Sequence, residues 1–515
     1  MKNASLRLTV LSASIAAAML AGCSAETQAE FESRRSDTTP YMVAGITETN
    51  PDNTTGSVEN APTYHRLPVT LDTPLAEQGD TPLEVDVSKE LAVITTKALT
   101  DSELVTALKD EVTPMAAAKR KAVVYNPQQI RTAYGLPPVP TNINGLTPEV
   151  RASLGAGQTI YVVAAYHNPN AFTDLNLFSK TFNLPTCTQV VIPTTATTLP
   201  PLKNTDNCQF SYVYPIGAGK MGATPPAYNA TWSQEIALDV QWAHAIAPLA
   251  RIVLIEVPTA MMNAMDSGVL LANALGPGVV SMSYGTADNA VLARQSERVF
   301  AGKNMTYIAA AGDSGMQANW PAMSPSVISV GGTTLNNYTV NGTTVTRNET
   351  VWGGSGGGYS VSSAKPQWQN NIKTPSPGLT AANAIVPKAL ARVGNDVTYN
   401  ADAWTGFYVA ITNPKNNKTS WYSFGGTSAG APQWAGIVAV ANAKRALKNL
   451  APLGKFSPRL YQEFGPGLGS FGGSFMDVNS GANGKCAWCQ ATPGYDTPSG
   501  WGSPNGKLLE TLATN

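Results

Sequence analysis

"GGTSAGAP", residues 425–432, sets one serine, Ser428, among small residues whose order admits two different folds. Gly426-Thr427-Ser428-Ala429-Gly430 satisfies G-x-S-x-G, in which a nucleophilic serine sits on a tight strand-to-helix elbow. The same residues running on into Pro432 also describe a glycine-flanked serine at the start of a long helix. Both readings make Ser428 a nucleophile. A serine hydroxyl is too weak to act alone at neutral pH, so the deciding question is which residue takes its proton.

The elbow reading demands an acid and then a histidine downstream of the serine. The chain has three histidines, His65, His167 and His244, and all precede Ser428. That removes the esterase and lipase architecture. A Ser-His-Asp triad on a subtilisin-like scaffold needs an aspartate ending the first strand and a histidine opening a helix. The first strand, "TIYVVAAYHN" (159–168), offers Ala165 and Tyr166 there. His167 falls in a loop beside Asn168-Pro169. His244 lies mid-helix between Ala243 and Ala245, where a packed, hydrogen-bonded imidazole is expected.

Carboxylates fit better. In "WSQEIALDVQWAHA" (232–245), Glu235 and Asp239 are four apart on a helix and so share one face. Like charges at that spacing repel unless one group keeps a proton, and such a pair titrates as a unit. The ionised member can then accept a serine's proton. Trp232, Ile236, Leu238, Val240 and Trp242 around them argue for burial; two solvated acids on an exposed face are the competing reading.

The rest of the chain agrees with an α/β enzyme. Apolar, β-branched runs such as "TIYVVAAY", "RIVLIEV", "VVSMSYG", "MTYIAAAGDSG" and "SVISVGG" read as buried parallel strands, with helical segments between them. Chemistry in such sheets gathers beyond the carboxyl ends of the strands. Lys+Arg and Asp+Glu balance at 34 each in 515 residues, which gives no footprint for nucleic acid.

The N-terminus reads as a leader: Lys2 and Arg7 precede a short apolar run ending in Leu20-Ala21-Gly22-Cys23, which looks like a bacterial lipobox with Cys23 as the lipidated residue. Residues 1–22 are thus a signal peptide and the mature chain lies outside the cytoplasm. The other cysteines pair by proximity, Cys187 with Cys208 and Cys486 with Cys489, as structural disulfides in an oxidising compartment; the "CAWC" spacing alone is weak for a metal or redox role. Residues 23–118, rich in Thr, Pro, Asp, Glu and Ser, read as a tether, with a small helical piece in 88–112.

"GGTSAGAPQWAG", "QEIALDVQWAHAIAP" and "AAAGDSG", in this order of weight, closely resemble the sedolisin family of serine-carboxyl peptidases. "QQIRTAYGLP", "VVSMSYG", "NWPAMSPSVISVGGTTL" and "SGGGYS" follow the family's order and approximate spacing, so the resemblance spans about Tyr125 to Gly506. It implies a subtilisin-like fold over 119–515, with Ser428 as nucleophile, Glu235 as its base, Asp239 behind Glu235, and Asp313 at the oxyanion position. A carboxyl can serve an oxyanion only while protonated, which implies an acidic optimum. Ser355, Gly356, Gly357 and Gly358 would line the substrate cleft. One calcium ion is implied, held by Asp477, Asp496 and the carbonyls of Val478, Thr492 and Gly494; threonine at 492 replaces a commoner glycine.

The resemblance also implies polypeptide substrates, a monomer, no nucleic-acid partner, and membrane contact only through the lipid on Cys23, at the outer membrane or cell surface, or none once released. Family members carry a large folded prosegment; the roughly 95 residues between Cys23 and 118 imply a truncated one or none. A cut near Lys119-Arg120-Lys121 would free the enzyme from its anchor. The rival expectation is a catalytically silent, calcium-stabilised surface protein that binds peptides or partners.

Overall fold

The computed structural model describes residues 58–67, 70–74, 81–86, 121–217, 219–342, 344–372, 390–464 and 471–514. The leader, Cys23 and the helical piece in 88–112 lie outside the described residues. Among the described residues, no helix is long and apolar enough to cross a membrane.

Predominantly apolar runs make strands with no solvent face, and those strands form the centre of the sheet. Thr159–Ala165 (β1) is buried at all seven positions, and so is Arg251–Val257 (β3), separated from it in sequence by Gln209–Gly217 (β2). Next come Gly278–Met282 (β4), Met305–Ala310 (β5), Ile328–Asn341 (β6), Thr344–Val351 (β7) and Val397–Asn400 (β8). Their order is β7-β6-β5-β4-β1-β3-β2, with β8 also pairing β6. All pairs are parallel except the β6–β7 hairpin. The expected α/β architecture, a mostly parallel sheet covered by helices, is what the chain forms.

Three helices matter for the site. Ala230–Ile246 (α1) starts at Asn229, whose side chain accepts from the Thr231 and Trp232 amides. Fourteen of its seventeen residues are buried, the polar Ser233, Glu235, Asp239, Gln241 and His244 among them. Met262–Leu275 (α2) packs on β1, β2 and β3. Thr427–Leu447 (α3) lies against α1 and over β4, β5 and β6. Small residues permit that closeness: a Cβ on Gly436 would stand 2.6 Å from the Ile246 Cβ. Gly430, which completes the G-x-S-x-G match, is needed for packing instead, since a Cβ there would meet Val330 at 2.9 Å and Tyr399 at 3.1 Å.

Pro432 sits inside α3. It has no N–H for the carbonyl four residues back, which is that of Ser428. The freed carbonyl lies 3.3 Å from the Ser283 hydroxyl, at the end of β4. The helix start and the strand ends are thus tied together where the chemistry gathers.

Candidate active site

Ser428 is the second residue of α3 and fully buried. Its Oγ donates to Glu235 Oε2 at 3.0 Å. Asp239, one turn further along α1, accepts a 2.6 Å hydrogen bond from Ser283 Oγ. Both acids have no exposed surface, so the solvated-acid reading is excluded. Burial first, and for Glu235 the Asp239 charge next, hold their pKa values well above the ordinary carboxylate range. The pair therefore keeps a shared proton at acidic pH, while Oε2 remains a hydrogen-bond acceptor for Ser428.

Asp313 follows β5 in the loop Ala311-Gly312-Asp313. Its Oδ1 accepts from the Thr427 amide at 2.8 Å and from Thr427 Oγ1 at 2.7 Å. Its Oδ2 faces Gly426, the residue before α3, which has φ 95°. A side chain at 426 would collide with that oxygen at 2.5 Å. Burial pushes the Asp313 pKa up to about 7, against the two Thr427 hydrogen bonds, which lower it. Below that pH Oδ2 can carry a proton and donate it as a hydrogen bond beside the Ser428 N–H.

The cleft is occupied by the chain's own residues. The Thr63 carbonyl accepts from the Ser428 amide at 2.9 Å, and the Thr63 amide lies 3.1 Å from Ser428 Oγ and 3.3 Å from the Ser283 carbonyl. Ala61–Pro62 pairs antiparallel with Tyr284–Ala287, opposite Gly285 and Tyr284. His65–Arg66 pairs antiparallel with the end of strand Lys418–Gly425. His65 Nε2 lies 3.3 Å from Asp313 Oδ2, and its ring meets Trp352 edge-on. Burial lowers the His65 pKa to about 4. The sequence reads this segment as part of a tether, and its composition carries no signal for these contacts.

The other candidate residues are placed as follows. Ser355–Gly358 packs behind the Asp313 loop: the Gly356 amide donates to the Gly312 carbonyl at 2.7 Å, and a Cβ on Gly356 would stand 2.0 Å from the Ala311 carbonyl oxygen. The strand beside the cleft segment is Tyr284–Ala287, which Asp288 ties to Gly358–Ala364 through Ser360 Oγ at 2.6 Å and the Val361 amide at 2.8 Å. His244 is buried, 2.7 Å from the Pro185 carbonyl, as its mid-helix position implied. His167 pairs with Glu256 at 2.5 Å, away from Ser428. Both disulfides form, Cys187–Cys208 and Cys486–Cys489.

Near the C-terminus, Asp477 Oδ2 accepts from the Gly494 amide at 2.9 Å and Asp496 Oδ2 from the Thr492 amide at 2.8 Å. Asp477 Oδ1 is buried without a hydrogen-bond partner. Burial raises both pKa values, that of Asp496 to about 7, with the Asp477 charge contributing. Two acids that repel, one with an orphaned buried oxygen, are a donor set that fits a hard cation.

No protein-family model matches the chain. It is 32% identical over 309 residues to kumamolisin of Bacillus sp. (strain MN-32), covering 54% of this chain and 50% of that protein. It is 31% identical over 263 residues to tripeptidyl-peptidase 1 of Bos taurus, covering 46% and 43%, and 30% identical over 262 residues to the Homo sapiens protein of that name. The chain thus spans about half the length of the curated relatives it matches. Its fold is similar to that of a Pseudomonas sedolisin, a serine-carboxyl proteinase solved with pseudo-iodotyrostatin, at TM-score 0.54 and 22% identity over 76% of this chain and 99% of that one.

Proposed function

We infer that this chain is a serine-carboxyl peptidase of the sedolisin family, hydrolysing peptide bonds in polypeptide substrates by way of Ser428, Glu235 and Asp239. The observation that carries this reading is the buried hydrogen bond from Ser428 Oγ to Glu235 Oε2, with Asp239 behind it. Ser428 Oγ attacks the carbonyl carbon as Glu235 takes its proton. Asp239, held by Ser283, shares the extra proton of the pair, so that no second charge builds up in a buried site. Charge developing on the carbonyl oxygen is met by the Ser428 N–H and by protonated Asp313. Glu235 returns the proton to the leaving amine; water then cleaves the ester by the same route reversed.

The chemistry runs in acid. Asp313 donates only below its pKa of about 7, and a histidine base would already be charged where a carboxylate still accepts. The Ser355–Gly358 turn acts as the wall that fixes the Asp313 loop in the cleft. One calcium ion at Asp477 and Asp496, with the carbonyls of Val478, Thr492 and Gly494, would offset the repulsion of the two acids and hold the C-terminal loops, without touching the reacting atoms. Secretion, lipidation at Cys23 and a monomeric state complete the proposal.

The test is digestion of an unfolded protein across roughly pH 3 to 8 by the wild type, Ser428→Ala and Glu235→Gln. Cleavage in acid by the wild type alone supports the mechanism. Equal activity in all three overturns it, and no cleavage by any, including after the N-terminal segment is displaced, favours a silent binding protein.

A further inference from the structure

We propose that Met316, Cys486 and Cys489 form a binding site for one cuprous ion, filled when the Cys486–Cys489 disulfide is reduced. The site goes beyond the peptidase reading and does not depend on it.

A single C-x-x-C supplies two soft ligands, which alone is weak evidence for a metal. The fold adds a third. Met316 lies 170 residues before Cys486, in the loop that follows β5, and its Sδ stands 3.1 Å from Cys486 Sγ and 3.1 Å from Cys489 Sγ. Two cysteine sulfurs and a thioether are soft donors that select Cu(I), whereas hard cations take oxygen.

Backbone hydrogen bonds hold the three sulfurs together. The Met316 amide donates to the Asn483 carbonyl at 2.9 Å, and the Asn483 amide donates to the Cys489 carbonyl at 3.1 Å. The Cys489 amide closes a turn on the Cys486 carbonyl at 3.0 Å. Asn483 Nδ2 donates to the Ser355 carbonyl at 2.9 Å, which fastens the C-terminal loop to the Ser355–Gly358 turn. Gly484 leaves room for the cluster: a Cβ there would meet Cys489 Sγ at 2.8 Å and Met316 Cγ at 3.0 Å.

Exposure also suits a site that takes up an ion. Among the described residues Met316 is the one exposed methionine, at 38%, although such a side chain more often fills gaps in a core. Cys486 is half-buried and Cys489 fully buried. A reductant and an ion therefore reach the cluster past Met316 and Cys486 without opening the core. The other disulfide differs: Cys187 and Cys208 are buried, with Cys187 Sγ 3.5 Å from the buried His244.

The step balances. A small dithiol passes two electrons and two protons to the disulfide, giving the Cys486 and Cys489 thiols and the cyclic disulfide of the reductant. Cu(I) then displaces both thiol protons and binds two thiolates and the Met316 thioether, with no change in its oxidation state. Met316 is three residues after Asp313, so the ion would join the loop that carries Asp313 to the C-terminal loop through metal–sulfur bonds.

The test uses the full chain, reduced with dithiothreitol, freed of it without oxygen, and titrated against Cu(I) held by the coloured chelator bathocuproine disulfonate. The reduced wild type is expected to withdraw one Cu(I) per chain that reduced Cys486→Ser does not. Loss of an outer-shell partner alone lowers metal affinity about 10- to 100-fold. Met316→Leu, which keeps the bulk and removes a ligand, is thus expected to weaken binding of that ion by about tenfold or more. Equal copper uptake by the wild type and Cys486→Ser overturns the site, because the ion then sits on other cysteines. Unchanged affinity in Met316→Leu overturns it as well, since a bare C-x-x-C would account for the binding. Met316→Leu keeps the test decisive where Cys486→Ser fails to fold. Displacement of the copper by an equal amount of Zn²⁺ overturns the assignment to a soft monovalent ion. None of these readouts uses hydrolysis, so failure here is distinguishable from failure of the peptidase reading.

Discussion

Replacing Asp313 separates its two roles, donor and titrating group. Its orientation is fixed: Thr427 supplies two donors, N–H at 2.8 Å and Oγ1–H at 2.7 Å, and both point at Oδ1. An asparagine must keep its oxygen on that side, which places its NH₂ where Oδ2 now stands, beside Gly426 and the reacting carbonyl. Asp313→Asn thus retains a donor that never titrates, whereas Asp313→Ala removes the donor. Loss of one oxyanion donor lowers kcat by about 100- to 1,000-fold, and that is the expected result for alanine at pH 5. For the wild type, a pKa of about 7 leaves roughly a tenth of Asp313 protonated at pH 8. Activity should fall about tenfold from pH 6 to 8 through this group alone. The asparagine chain should fall about tenfold less over the same interval, while remaining within reach of the wild type at pH 5. The assay is steady-state hydrolysis of a fluorogenic peptide, with kcat and KM resolved at each pH. A loss of less than about threefold in Asp313→Ala, or an unchanged alkaline limb in Asp313→Asn, would refute the donor role.

Three further outcomes follow from the same geometry. Gly426→Ala should lower both activity and thermal stability, since φ 95° and three contacts at or below 2.5 Å leave no room for a Cβ; a wild-type melting temperature would contradict the placement. Stability should decline as pH rises from about 4 to 7: the acids Asp313 and Asp496 have folded pKa values raised to about 7, so their contribution is complete below the unfolded carboxylate pKa and lost as pH passes the folded value. A melting temperature that climbs over that interval would show the reverse linkage. Calcium should flatten that decline and chelation should lower the melting temperature, with Asp477→Asn abolishing both effects; indifference to chelator removes the metal proposal.

The centre of the sheet was legible because its strands are predominantly apolar, and α1 because two acids lay among large apolar residues of one helix. Ser428, Glu235, Asp239 and Asp313 come together from three separate elements, α3, α1 and the loop after β5, yet each sits in a motif whose residue types are unusual for its surroundings. Gly430 misled the local reading of the serine turn, because a glycine required by the neighbours Val330 and Tyr399 also completed a catalytic pattern. Thr63 and His65 were not legible at all. Their segment binds through backbone hydrogen bonds to Gly285, Tyr284 and Gly425, and backbone pairing leaves almost no mark on residue type. The glycine-rich Ser355–Gly358 turn shows the converse: its composition announces a close approach without saying to what, and the neighbour is the Ala311 carbonyl.

The most direct test of a serine served by carboxylates is to catch the acyl group. A peptide ester turned over at about pH 4 and quenched in strong acid within milliseconds should leave its acyl portion esterified to Ser428, located by fragment mass spectrometry. Its amount should be near one per enzyme in the wild type, and its formation should slow by about 100-fold or more in Glu235→Gln. An acyl group on another residue, or equally fast acylation in Glu235→Gln, would contradict the account.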